Sequence, residues 1–365
     1  TKIDLVIITH AHIDHTGYLP RLVKDGYGGK IICTHATEDL MQILLLDAGK
    51  LQEEEAQFAL KHGYSRHSKP EPLFGTEDAK KVLDMVDSYP LGKSIQLTDG
   101  VSAVFHNAGH ILGAAMIEIT LNGAEQQKKI VFSGDLGRNE DPLMYPPTHL
   151  KKADILLVES TYGDRLNPME KVENDLADAI NYTYDRRGCV IMPAFAVGRT
   201  QNLLFYLHQL MSAGKIPQIP IFIDSPMAIS VTNLYEKHGS THKLVVENKN
   251  NKLISVFDSP NIHFCNTPDS SRELNDRKDP AIIVSASGMC TGGRILHHLY
   301  HRLPNKQDTI LFAGYQAEGT RGRDILDGSP SVLIFGIEVP VKCAVKEIHG
   351  LSAHADQLEL MQWLA

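Results

Sequence analysis

Four side chains able to bind metal stand within six residues in His10-Ala11-His12-Ile13-Asp14-His15. The residues before them, Ile3 to Thr9, are largely apolar and β-branched and read as a buried strand. Gly17 and Pro20 follow, with a short helical pattern through Leu19, Leu22 and Val23. The cluster therefore sits on a turn at a strand end, where successive residues can face different sides of one small volume. That suits two metal ions better than one. Imidazole with carboxylate favours zinc, with manganese or iron as rivals. A solvated face would be the bland alternative, but a strand-to-turn segment carries few spare polar groups.

Two later turns repeat the design. Asn107-Ala108-Gly109-His110-Ile111-Leu112-Gly113 puts a His between glycines at a strand end. Ser133-Gly134-Asp135-Leu136-Gly137 does the same with a carboxylate, and one Asp can bridge two cations through its two oxygens. Each alone could be an ordinary turn. Taken with the first motif they offer three imidazoles to one ion, Asp and His to another, and Asp135 between them. Glu159 closes an apolar strand and could orient a catalytic His or cap its turn. His354, between small residues and before a helix, could be a general acid with Glu159 as its partner, or a helix cap. Arginines stand in three glycine-rich turns: Arg199, Arg294, and Arg321 with Arg323. The first two precede helices, where backbone N–H groups and a guanidinium can hold phosphate. Asp224-Ser225-Pro226-Met227 is a further strand-to-helix turn. Singly each reads as a loop; their shared place at strand C-termini points to a site.

The elements that must position these groups fall into two styles. Strands are expected at 30–34, 94–97, 101–107, 114–121, 129–133 and 154–159. A long helix runs from Thr37 to about His62, and another from Thr76 to near Pro90. From about Pro168 strand and helix alternate: helix 169–186, strand 189–194, helix 198–213, strand 219–224, helix 226–238, strand 281–286, helix 293–302 and strand 309–315. Such alternation argues for a parallel α/β sheet. Strand 341–347 and helix 356–364 close the chain.

A length of 365 residues makes two domains the default. The hydrophobic share of 42% and charged share of 22% are those of an ordinary globular protein. No apolar run reaches membrane-spanning length and no N-terminal signal pattern is present. Five scattered cysteines without a Cys-x-x-Cys argue against a disulfide framework and for a reducing compartment, the cytoplasm. A formal net charge of −8 speaks against a non-specific polyanion binder. It does not exclude a nuclease whose metals carry the local positive charge. The start without Met and the close inside a helix suggest a fragment.

His-x-His-x-Asp-His, then Gly-His, then Ser-Gly-Asp resembles the metal scaffold of the metallo-β-lactamase superfamily. Pro193-Ala-Phe-Ala-Val-Gly-Arg199-Thr-Gln, Asp224-Ser-Pro-Met, Ser285-Ala-Ser-Gly-Met-Cys-Thr-Gly-Gly-Arg294, Gly314-Tyr-Gln-Ala-Glu-Gly-Thr-Arg-Gly-Arg323 and Ser352-Ala-His-Ala-Asp356 look like its β-CASP branch. That branch holds the mRNA 3′-end cleavage endonuclease subunit and related bacterial and archaeal ribonucleases. The resemblance implies an α/β architecture: a metallo-β-lactamase αββα sandwich at 1–167, an inserted β-CASP parallel α/β domain at 168–340, and a return to the first domain at 341–365.

It also implies two Zn²⁺ ions and hydrolysis of RNA phosphodiester bonds. His10, His12, His110 and Asp135 match one zinc site; Asp14, His15 and Asp135 match the other. Asp14, Glu159 and His354 are the catalytic candidates, His354 as proton donor. Arg199, Ser225, Arg294 and Ser352 are the candidates for phosphate and RNA. The expected partner is RNA, single-stranded, with no membrane; self-association is compatible. The family's N-terminal strands and a further His, which ligates the second zinc downstream, have no counterpart here, so the second site is expected to be incomplete. With that His goes a clue that separates RNA-type from DNA-type members. Three rivals stand beside this reading. A hydrolase of a small ester or thioester would not need the Arg-Gly turns. A di-iron oxidoreductase would carry Glu where this chain has His12. A non-catalytic RNA-processing subunit would have lost ligands that are intact here.

Overall fold

The computed structural model describes residues 2–63, 67–123, 126–247, 253–255, 257 and 259–365. The chain divides into two compact units, one of residues 1–164 with 354–365, the other of residues 165–353.

In the first unit, β-branched segments give two sheets. Leu5–Ile7, Lys30–Thr34 and Val86–Tyr89 pair in parallel in that order. Ser94–Thr98, Val101–Asn107, Ala115–Asn122 and Gln127–Phe132 form an antiparallel meander, and Ile155–Leu157 joins its end in parallel. Period-two alternation turns one face of each sheet inward. Ile32, Leu5, Ile7 and Tyr89 from the first sheet meet Ile95, Phe105, Ala115 and Ile117 from the second. The long helix His35–His62 starts at Thr34, whose hydroxyl accepts the Thr37 N–H, and ends at Gly63 in the left-handed region. It packs against the first sheet with Thr76–Leu83 beside it. This is the αββα sandwich that the resemblance implies.

One element differs from expectation. The helix from Thr76 stops at Leu83, and Val86–Tyr89 is a strand aligned with Ile31–Thr34. Val86 and Tyr89 favour strands, and the open edge of Lys30–Thr34 supplies the ladder partner that local pattern cannot reveal.

The second unit holds six parallel strands. Their order is Ile262–Phe264, Ile221–Ile223, Ile282–Ser285, Val190–Pro193, Thr309–Phe312, Ala344–Glu347. The central strands are buried along their whole length, as a parallel sheet covered on both faces requires. The segment expected to return to the first domain at 341 instead hydrogen-bonds to Thr309–Phe312. The chain rejoins the first unit only at His354, and leaves it at Asp164. Among the described residues no helix is long and apolar enough to cross a membrane.

One buried charge organises this second core. Asp224, fully buried just past Ile221–Ile223, takes the Arg294 guanidinium at 2.7 Å on Oδ1. Its Oδ2 faces Ser271 Oγ at 2.5 Å and His298 Nε2 at 2.6 Å. Burial raises the Asp224 pKa, but the bonds to His298, Ser271 and Arg294 outweigh it and hold the carboxyl below its usual range. Removing one partner of a buried carboxylate leaves charge uncompensated. Arg294→Ala should therefore cost about 2–3 kcal/mol, the two remaining partners limiting the damage, read as a lower urea midpoint. An unchanged midpoint would show that the pair carries no structural role.

All five cysteines are free and buried. Burial pushes the Cys265 thiol up to about 11 and those of Cys290 and Cys343 to about 12, and raises Cys33 and Cys189 as well. Thiolate is the reactive form. At pH 8 the native protein should titrate close to zero thiols with an aromatic disulfide reagent within minutes, and five in denaturant. Rapid native labelling of two or more would contradict this burial.

Candidate metal centre

The strand Leu5–Ile7 ends in a backbone that stays tied on both sides. Ile8 N–H donates to Ile32 O, and Ala115 N–H to Thr9 O. His10 therefore leaves the sheet at a fixed angle and is fully buried. His12 is extended, and a single helical turn, Ile13–Thr16, follows. Thr16 Oγ1 closes that turn on Ala11 O and His12 O at 3.1 and 3.0 Å. The turn swings Asp14 and His15 to the more open side, with side-chain exposures of 75% and 32%.

Glycine lets the other two loops approach. Gly134 has φ +54°, and a Cβ there would lie 2.7 Å from Thr9 Cβ. At Gly137 a Cβ would sit 1.9 Å from the Gly109 carbonyl oxygen. The His110 and Asp135 loops thus touch backbone to backbone, which only glycine permits. Gly137 N–H seals the contact by donating to Ala108 O at 2.8 Å.

Four ligand atoms converge as a result. His12 Nδ1 is 3.2 Å from both His10 Nε2 and His110 Nε2. Asp135 Oδ2 is 3.4 Å from His10 Nε2 and 3.5 Å from His110 Nε2. Zinc at about 2.0–2.1 Å from each ligand of a tetrahedron would need edges of roughly 3.3–3.4 Å. The residues fit the ion. Their protonation fits too. Burial lowers the pKa of His10, takes His12 to about 3, and puts His110 well below the ordinary value. Three neutral imidazoles then aim lone pairs at one point. Burial pushes the Asp135 carboxyl up, but the His10 hydrogen bond and the charge of His354 carry it below its usual range.

The second oxygen of Asp135 faces away from that group. His15 Nε2 lies 3.4 Å from Asp135 Oδ1 and 3.5 Å from Asp14 Oδ2. Asp14, His15 and Asp135 do not close into a group as tight as the first.

Asp135, Glu159 and His354 form the other tight group. His354 Nδ1 lies 3.3 Å from each Glu159 oxygen and 3.9 Å from Asp135 Oδ2. Its ring centroid is 4.5 Å from that of His110. Burial lowers the His354 pKa, but the Glu159 bond and charge and the Asp135 charge more than restore it, so the net direction is upward.

One residue's backbone links these groups. Leu136 N–H donates to Glu159 Oε1 at 2.5 Å, and Leu136 O accepts the Ala355 N–H at 2.8 Å. Sequence reasoning missed two supports. Arg138 reaches Glu359 at 3.1 Å and Asp356 at 3.7 Å, anchoring the capping box at the start of Gln357–Leu364. Tyr162 pairs with Asp356 in a β-bridge and holds its ring 6.0 Å from that of His354. The box, Asp356 with Glu359, is readable in the sequence; Arg138 carries no such signal.

The expected phosphate contacts are all in the second unit. Arg294 is tied to Asp224 and to Cys265 O, with 20% of its side chain exposed. Ser225 is buried and caps Pro226–Lys237, its Oγ accepting the Ala228 N–H. Arg199 opens the helix Arg199–Ser212 and is partly buried, as is Ser352.

Comparison with known proteins agrees with the fold. Three family models match: the metallo-beta-lactamase superfamily over residues 1–165, the Beta-Casp domain over 200–325, and the Zn-dependent metallo-hydrolase RNA specificity domain over 338–365. Among curated relatives, Ribonuclease TTHA0252 of Thermus thermophilus is 34% identical over all of this chain and 79% of its own length. An RNase J-like protein of Methanocaldococcus jannaschii is 31% identical over 99% of this chain and 78% of its own. The transcription termination factor FttA of the same organism is 30% identical over 99% of this chain, which spans 56% of that longer protein. With its His-x-His-x-Asp-His turn, its two glycine-hinged ligand loops and an inserted parallel sheet, the chain belongs to the β-CASP branch of the metallo-β-lactamase superfamily.

Proposed function

We infer that this protein is a zinc-dependent ribonuclease that hydrolyses RNA phosphodiester bonds. The observation that carries the reading is the four-atom group of His10, His12, His110 and Asp135 beside a carboxylate-held histidine. The substrate class rests on the relatives named as ribonucleases. RNA processing in the cytoplasm agrees with that reading.

His10, His12, His110 and Asp135 would hold the first zinc, and Asp14, His15 and the other oxygen of Asp135 a second. Bound zinc supplies Lewis acidity, which activates water at neutral pH and offsets negative charge on phosphate oxygens. Glu159 fixes the His354 ring by facing Nδ1, so Nε2 is the atom that would give a proton to the departing oxygen. Asp135 presents a carboxylate to His10, His15, His110 and His354 at once and keeps their rings in place. Single-stranded RNA would run over the second unit, with Arg199 near a phosphate.

His12→Ala should lose both zinc and RNA hydrolysis while the far-ultraviolet spectrum is unchanged, because His12 stands on a turn. Wild-type turnover by a metal-analysed preparation of this variant would sink the assignment. Chelation should abolish wild-type activity and added zinc restore it.

His354→Ala should retain the zinc content of the wild type and lower kcat by about 10²–10⁴-fold, the usual worth of a positioned acid. Glu159→Gln keeps an oxygen for the Leu136 N–H and should lose less. A fall in zinc content equal to the fall in kcat would move His354 from proton donor to metal support.

A further inference from the structure

An open parallel sheet offers ligand sites where neighbouring strands send their connections in opposite directions, at their C-terminal ends. The second unit has two such places. One lies between Ile221–Ile223, whose chain continues to the edge strand Ile262–Phe264, and Ile282–Ser285, whose chain continues toward the other edge. The Asp224–Arg294–His298–Ser271 cluster fills that place with side chains bonded to each other. The other lies between Val190–Pro193, which leads toward one edge, and Thr309–Phe312, which leads toward the opposite one.

Exposed aromatic rings stand on both sides of this second place. Phe195, two residues past its strand, is 42% exposed, and Tyr315, three residues past the neighbouring strand, is 64% exposed. Both stand on a fixed backbone. Phe195 O accepts from Thr200 N–H and Oγ1, at 3.2 and 2.8 Å, and so is tied to the first turn of the helix Arg199–Ser212. The buried Gln316, next to Tyr315, donates to Gly288 O at 3.0 Å. Gly288 in turn lies against the Phe195 ring, where a Cβ would come within 3.0 Å of its edge. Gly314 lies against the Arg199 guanidinium in the same way. Glycine at these two positions leaves room against the Phe195 ring and against the guanidinium.

Rings held this open lose the benefit of burial unless a ligand covers them. Aromatic faces beside a guanidinium suit unpaired nucleobases, which stack irrespective of sequence, and the phosphate that joins them. We propose that Phe195 and Tyr315 form a base-stacking subsite for single-stranded RNA at this switch point. The proposal rests on the ribonuclease reading and adds residues outside the metal centre that grip the substrate. Its reach is one or two nucleotides, and its chemistry sets no preference among the bases.

The test is fluorescence titration of the zinc-loaded full chain with a slowly cleaved, phosphorothioate-linked oligoribonucleotide carrying 2-aminopurine. Wild type should quench the probe on binding. Tyr315→Ala and Phe195→Ala should each weaken binding by roughly tenfold and reduce the quench at saturation. Tyr315→Phe should restore both, since stacking needs the ring and not the hydroxyl. An abasic oligomer of equal length should bind weakly and be indifferent to Tyr315→Ala, a substitution at a well-exposed position that spares the fold. Wild-type affinity and quench in both alanine variants would overturn the proposal and leave these rings to a protein partner. Equal losses in Tyr315→Phe and Tyr315→Ala would also overturn it, assigning the hydroxyl instead. A wild-type chain that cleaves no RNA at any zinc level would defeat the ribonuclease reading itself, a result separable from the binding data.

Discussion

The Asp135 carboxylate is the constraint on which the first unit depends. One oxygen faces His10 and His110, the other faces His15, and His354 stands just beyond. That carboxylate stays ionised despite burial through the His10 hydrogen bond and the His354 charge. The residue after it completes the assembly. Leu136 spends its N–H on Glu159 and its carbonyl on Ala355. A single strand-end turn thus fixes the four-atom His and Asp group and the Glu159-held His354 relative to each other. Residues 219 positions apart in sequence, Asp135 and His354, meet because of it.

Close backbone approach is the means. The Asp135 loop can reach the His110 loop only because Gly137 leaves its side chain out, and it can lie on Thr9 only because Gly134 does. Four side-chain atoms within 4.8 Å of one another, four of their six separations being 3.2–3.5 Å, follow from three loops being pressed together. Desolvation then keeps the imidazoles neutral, the form that binds a cation.

The second unit shows one sheet topology dressed differently at its two switch points. Both switch points of its sheet carry an arginine from a glycine-rich turn. At one, Arg294 is consumed by the buried Asp224. At the other, Arg199 lies beside rings that remain open to solvent. A carboxylate without solvent must be paired, and Arg294 is one of the partners that Asp224 takes.

The sequence by itself determined a good deal. Short-range chemistry and periodicity were enough to single out the candidate metal motif, the glycine-flanked His110 and Asp135 and the alternation of strand and helix after residue 168, and the resemblance of its motifs gave the family. Motifs of that kind are local: His10 to His15 span one turn, and their spacing is their meaning. The tertiary structure decided what depends on partners far away in the chain. It made Val86–Tyr89 a strand by offering it an edge, and kept 344–347 in the second sheet by pairing it with Thr309–Phe312. It separated Arg294 from Arg199, which read alike as Arg in a Gly-rich turn before a helix. It also brought Arg138 to Glu359 and Tyr162 to Asp356. A residue's type states what it can bond; only the fold states which of its possible partners, across hundreds of residues, is near enough to be the one.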